Sequence, residues 1–238
     1  MIASLDQFVD EKQWQEVVEE IQRVGVETLN RSVDEADPGR VVYPHGVVTE
    51  SKDPETHVDG AAVKRFETSG NVSDSTFGLY LRMPTAKGAM EHQNRSRSDM
   101  WEDAPLFNKF PKFKAFIEEQ VIGKVLKEMG RIWVIIDRSG KDGIRHRDHT
   151  IPDVLNEFLW LRAGTAKTIQ VFSEDSSAQP QRCTGHAGWF DPRYEHQAVC
   201  LDPDTPAISI RIDGPFTDEA RKAVSDYQPW APAASVGN

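Results

Sequence analysis

The sequence predicts an α+β chain that is mainly β: a helix-backed barrel of short strands, built as a sandwich or jelly roll. From residue 131 onward short extended runs alternate with turn residues, at 131–137, 142–146, 156–162, 167–173, 180–190, 194–200 and 206–213, a spacing typical of antiparallel sandwiches and barrels. Upstream, 5–29 and 111–129 carry apolar residues at helical intervals, and such faces need a sheet to cover. No repeat period divides the 238 residues, a length read as one domain against a prior of roughly 150 residues. Within it 1–130 is expected to supply helical support and loops, 131–213 the jelly-roll core, and 229–238 a disordered tail.

The elements follow in chain order. Ser4 with Gln7 fits a capping box, and Trp14, Val17, Val18 and Ile21 fall at i, i+3, i+4 and i+7, so an amphipathic helix is expected over 5–29. Residues 34–59 are rich in Pro, Gly, Asp and Glu and read as loop, with the extended stretches 40–43 and 46–49 as a candidate hairpin. Strands are expected at 61–66 and 76–83. The following 84–103 is polar with almost no apolar periodicity, which predicts a mobile loop, either inert or a lid over a site. Phe113, Phe116, Ile117, Val121 and Val125 then repeat at helical spacing until Gly130, and 218–227 reads as a closing helix.

Composition excludes several functions. With 28 basic and 38 acidic residues the net charge is −10, the wrong sign for a general binder of nucleic-acid polymers or anionic membranes. No run reaches the roughly 18 apolar residues of a spanning helix. The opening Met1-Ile2-Ala3-Ser4-Leu5-Asp6 has no signal-peptide character, so a cytoplasmic protein is expected. Two cysteines, Cys183 and Cys200, are expected as free thiols.

The chemistry concentrates in four residues. His146 and Asp148 lie two apart at the end of an expected strand, so both side chains point to one side. His196 follows fifty residues later in mid-strand, and Arg211 fifteen beyond it. Two histidines and one carboxylate suit a ferrous ion with open positions, able to take a keto acid and then oxygen. An arginine on a neighbouring interior strand can pair with that acid's far carboxylate. On the last strand Ser209, Arg211 and Asp213 share one face and Ile208, Ile210 and Ile212 the other, which predicts a polar face lining the interior. Alternatives stay open at this point: His186 could replace His196, and the run His146-Arg147-Asp148-His149 admits a zinc hydrolase, although Ile144 stands where that pattern has a further histidine.

Over 131–213, about a third of the chain, the order His-x-Asp, distal His, Arg resembles that of the Fe(II)/2-oxoglutarate-dependent oxygenases of the double-stranded β-helix fold. Within them it is most similar to the small aspartyl/asparaginyl- and proline-hydroxylase-like members. The resemblance implies iron held by His146, Asp148 and His196, with 2-oxoglutarate and O2 as co-substrates and Arg211 on the 2-oxoglutarate carboxylate. The family often has a serine two residues after the arginine, where this chain has Asp213, so Ser209 or Thr168 is the candidate second contact. Arg162, Trp160 and Trp133 are the candidate substrate contacts, for a small anionic or zwitterionic metabolite. Hydroxylation is the expected outcome, with desaturation or cyclisation by the same ligands as the alternative. Halogenating members replace the carboxylate ligand by Gly or Ala, and Asp148 disfavours that chemistry. A cupin-like module that binds without redox chemistry is the competing class.

Overall fold

The computed structural model of the chain describes residues 2–34, 40–42, 48–50, 55–58, 60–68, 71–90, 94–137, 140–148, 156–175 and 178–225. Strand β1 (Ile2–Ser4) and a 3-10 turn at Asp6–Phe8 precede helix α1 (Glu11–Asp34). The helix starts later than its apolar pattern suggests because the box at Ser4 and Gln7 does not form. Ser4 Oγ instead donates to Asp6 Oδ2 at 2.8 Å. Asp10 caps the helix, its Oδ1 accepting the Gln13 N–H at 2.7 Å, as a short acceptor at this position does.

The expected hairpin is present as the antiparallel pair β2 (Arg40–Val42) and β3 (Val48–Glu50). Strands β4 (Glu55–Val58), β5 (Ala61–Thr68) and β6 (Asn71–Tyr80) form a meander. The stretch 84–103 is more ordered than its polarity suggests. Strand β7 (Arg82–Pro84), helix α2 (Ala86–Met90) and strand β8 (Trp101–Asp103) fold it back on itself, β7 pairing with β8. Met100 and Trp101 are buried, and two apolar anchors are enough to pin a polar segment. Part of the expected lid, residues 91–93, lies outside the described residues.

Helix α3 (Pro111–Phe116) runs into one π-helical turn at Ile117–Val121 and stops. Gly123, at φ 82°, takes a left-handed conformation that ends it short of the expected residue 129. The remaining strands are β9 (Ile132–Asp137), β10 (Phe158–Ala163), β11 (Lys167–Val171), β12 (Gln181–Arg182), β13 (Ala187–Phe190), β14 (His196–Cys200) and β15 (Ala207–Asp213), closed by α4 (Asp218–Ser225). Two expected strands differ. Residues 142–146 make only an isolated bridge, His146 to His196. The run 180–190 breaks into β12 and β13, since the carbonyls of Thr184 and Gly185 turn aside to accept from Arg162. The end of the predicted closing helix and the tail 229–238 fall outside the described residues.

Two sheets carry the site. An eight-stranded sheet runs β1-β13-β10-β15-β9-β6-β5-β4, and a three-stranded sheet runs β12-β11-β14. The fold is thus mixed α and β, mostly strand, but the sheets are open at their edges rather than closed into the expected barrel. Ile132, Val134, Ile136, Ile208, Ile210 and Ile212 of β9 and β15 are buried in the core shared with the helices, each stabilising by about 1.5–3 kcal/mol. On that side Trp14 donates its indole N–H to the Arg162 carbonyl at 3.0 Å and meets Phe116 at 5.4 Å between ring centroids. The buried Glu20 carboxylate accepts the N–H groups of Lys112 and Phe113, fixing the start of α3 against α1. The opposite face of the large sheet turns Trp133, Ile135, Asp137, Ser209 and Arg211 towards a cavity.

Candidate metal centre

The backbone brings the distant ligands together. His146 and His196 face each other in an antiparallel bridge, with N–H to carbonyl distances of 3.0 and 2.8 Å, and the Asp148 N–H donates to the Pro192 carbonyl at 3.0 Å. Each imidazole is then oriented by a carbonyl two residues before it. His146 Nδ1 lies 2.8 Å from Ile144 O and His196 Nδ1 3.0 Å from Tyr194 O. A carbonyl only accepts, so both Nδ1 atoms carry the proton and both Nε2 lone pairs are free to coordinate. Those Nε2 atoms sit 3.7 and 3.6 Å from a single oxygen, Asp148 Oδ1. The three donor atoms lie within 4.8 Å of one another, a spacing from which small side-chain shifts reach one ion at about 2.0–2.2 Å.

The second oxygen of Asp148 is engaged from behind. Arg211 Nη1 donates to Asp148 Oδ2 at 2.8 Å, and Arg211 Nε to Asp213 Oδ1 at 2.8 Å. Its guanidinium lies 3.8 Å from the centre of the Phe158 ring. Asp213 in turn accepts from Arg131 Nε at 2.8 Å. Burial works against ionisation of Asp148, but the neighbouring imidazoles of His146 and His196 and the hydrogen bond from Arg211 hold its carboxyl far below the usual range. The same contact with Asp148 raises the pKa of His146. The trio is asymmetric: the His196 side chain is buried at 5 % exposure, whereas that of His146 is 54 % exposed, so the ion would sit at a mouth rather than in a sealed core.

Behind the trio a cavity of about 410 Å³ runs between the two sheets. Trp133, Ile135, Trp160, Ile169 and Ala198 form its apolar part, with Ser209 opposite Ile135, and Thr76, Asp137 and Lys167 form its far end. Lys167 pairs there with Asp137 across the gap between sheets. The Thr76 hydroxyl, buried, has no hydrogen-bond partner among the described residues. The β11–β14 register sets the length: Val171 lies opposite His196 and Lys167 opposite Cys200, four residues or roughly 13 Å along the strand.

Most residues singled out from the sequence meet here. His146, Asp148 and His196 converge, Arg211 and Ser209 reach the cavity, and Trp133 and Trp160 line it. Two do not reach it. Thr168 Oγ1 donates to the Cys183 carbonyl at 2.6 Å on the other face of β11. Arg162 donates to the carbonyls of Gly185, Lys167 and Thr184, which makes it a tie between loops and keeps it out of the cavity lining. His186 is also elsewhere, its Nδ1 3.2 Å from Asp6 Oδ1. Lys167 is the residue the sequence reading missed, although parity held the signal. In Lys167-Thr168-Ile169-Gln170-Val171 the apolar residues fall on the odd positions, so Lys167 shares the inner face and Thr168 does not. Cys183 and Cys200 are free thiols, as expected. No described helix is long and apolar enough to cross a membrane.

No family model and no curated protein matches the chain.

Proposed function

We propose that this protein is an Fe(II)- and 2-oxoglutarate-dependent dioxygenase that hydroxylates a small anionic or zwitterionic metabolite. One observation carries the reading: two imidazoles with protonated Nδ1 atoms and one carboxylate aim at a common point at the mouth of a cavity whose far end holds a lysine. The strand order supports a jelly roll. From β9 to β15 the chain visits the large sheet, then the bridge at His146, then β10 in the large sheet, β11 and β12 in the small, β13 in the large, β14 in the small and β15 in the large. Such interleaving is the plan of a double-stranded β-helix.

The donor set fits iron, with two neutral nitrogens, one carboxylate oxygen and room for further ligands. Bound ferrous iron would supply oxygen activation coupled to decarboxylation of 2-oxoglutarate. The chain's own groups do the positioning. Arg211 grips Asp148 Oδ2 and so presents Oδ1 to the metal, a role that replaces the one its position in the sequence suggests. The cation available to the far carboxylate of 2-oxoglutarate is Lys167, with Thr76, opposite its partner Asp137, at the same end. An ammonium has three donors, so Lys167 can keep Asp137 and still receive the incoming carboxylate. Trp133, Ile135 and Ile169 exclude water around the carbon chain between the two ends. Asp148 fills the position that chlorination would need vacant.

Anaerobic addition of Fe(II) and 2-oxoglutarate should give the weak visible charge-transfer band of a chelated keto acid, and His196→Ala should abolish it. A folded wild-type protein without that band, and without metal-dependent succinate formation in air, would overturn the proposal in favour of a non-redox binding module.

A further inference from the structure

We propose that Arg95 and Arg131 form, beside the metal trio, a binding site for an oxyanion of the substrate, a carboxylate or a phosphate. The inference deepens the proposed function by naming what holds the substrate, and it stands apart from the lysine end of the cavity.

The first observation is an unfilled donor. Arg131 is 6 % exposed, its Nε is used on Asp213, and its Nη2 is buried with no hydrogen-bond partner. Orphaned donors of this kind are rare in folded proteins, and a guanidinium presents paired N–H groups that match an oxyanion. The second observation is how Arg95 arrives there. The Arg131 N–H donates to the Arg95 carbonyl at 2.9 Å, and a Cβ at Gly130 would fall 1.9 Å from that same oxygen. Only glycine at 130 allows this approach, so the segment around Arg95 lies directly on 130–131. It is held there on both sides: Trp101 Nε1 donates to the Asn94 carbonyl at 3.1 Å, and Ser98 Oγ to Glu128 at 2.5 Å.

Charge supplies the third observation. The Arg95 guanidinium makes no hydrogen bond or ion pair among the described residues, yet it lies close enough to Arg131, Arg211, Asp213 and Asp148 to feel all four. Burial lowers its pKa, and Arg131 and Arg211 lower it further, the signature of a cation crowded by cations. Three guanidinium groups thus face two carboxylates. Once a metal takes Asp148 the imbalance grows, because Arg211 then shares that carboxylate with the ion. Partly buried charge of one sign is stable when an opposite charge completes it, and a substrate oxyanion between Arg95 and Arg131 does so within reach of the trio.

The test titrates metal-free protein with inorganic phosphate and with propionate at constant ionic strength, following tryptophan fluorescence, since the Arg131 guanidinium lies 5.2 Å from the Trp133 ring. Wild type should show saturable binding, Arg95→Gln should weaken it about tenfold or more, and Arg95→Lys should restore most of it. The fold tolerates these changes because residue 95 makes its contact with 131 through its backbone, and melting curves check this. Lys12→Met, at an exposed position of α1, should leave the anion affinity unchanged. The tighter of the two probes identifies the oxyanion class. No saturable binding in wild type, equal affinity in Arg95→Gln, or an equal loss in Lys12→Met, would overturn the site. The titration uses no metal, so a chain that binds through Arg95 but never consumes 2-oxoglutarate keeps this site and loses the proposed function.

Discussion

The two ends of the cavity are built by different means. At the metal end backbone fixes both imidazoles, a strand bridge setting the distance between His146 and His196 and carbonyls two residues back setting both ring orientations, while the Arg211 side chain locks the carboxylate. At the far end an ion pair, Lys167 to Asp137, spans from sheet to sheet, with Thr76 opposite Asp137. Rigid geometry suits an ion that tolerates only narrow ligand distances. A flexible ammonium on a four-carbon stem suits a carboxylate that enters and leaves with each turnover. Pre-organisation is spent where geometry is strict, and adaptability is kept where exchange is required.

The largest effects should come from the metal end. His146→Ala should cut Fe(II) or Co(II) affinity by more than about 100-fold, since losing a ligand exceeds the 10–100-fold typical of its supporting contacts. Because that side chain is 54 % exposed, melting of the metal-free protein should barely change. Arg211→Gln touches no metal directly but should still weaken metal binding about tenfold, by freeing Asp148 to rotate. Isothermal titration of the three proteins checks both statements. Unchanged metal affinity in Arg211→Gln would break the claim that this arginine orients the ligand.

How much of this contrast is legible in the sequence follows from what each end is made of. The metal trio could be read because two ligands are local, two residues apart, and the third lies on a strand with clear alternation. The face of β15 was legible for the same reason, its isoleucines marking the wall and Ser209 and Arg211 the interior. The direction in which Arg211 spends its donors was not, because it depends on Asp148 arriving from a segment that is no regular strand. Asp137 and Thr76 were hidden too: they lie opposite each other on β6 and β9, and that register is a long-range fact. Asp10 displaced the expected cap because β1 had already drawn 2–4 into the sheet, a tertiary pull that local pattern does not contain. Segment 84–103 misled through composition, since polar residues hide the two apolar anchors that hold it.

A middle-sized effect belongs to the far end. Lys167→Met should raise the dissociation constant of 2-oxoglutarate by about 10–100-fold, the loss expected for a charged hydrogen bond, and leave metal affinity untouched. It should also destabilise the fold by about 3 kcal/mol, because the Asp137 carboxylate, only 6 % exposed, loses its ion pair with Lys167. Lys167→Met with Asp137→Asn should recover most of that stability and none of the co-substrate affinity. Recovery of both would mean that the lysine serves the fold alone, and the two ends would no longer differ in purpose.

The smallest effect is a pH trend confined to the metal end. His146 has its pKa raised above 6.5 by the Asp148 carboxylate beside it. A raised histidine contributes stability that is fully present below its unfolded value and is lost as pH climbs through the folded one. Asp148, held low by its three partners, contributes stability above about 3.9 and loses it only as pH falls through its folded value, so between pH 6 and 8 only His146 of the two changes charge. With a chelator present, the melting temperature should therefore decline from pH 6 to 8, by about 2 °C or less given the exposure of the ring. With Co(II) the trend should reverse, because the ion binds the neutral imidazole and competes with the proton over the same window. His146→Gln should flatten both slopes, whereas the Lys167 and Asp137 double variant, at the other end of the cavity, should keep them. Identical slopes in wild type and His146→Gln would show that the trend comes from the rest of the chain, and would remove this distinction between the two ends.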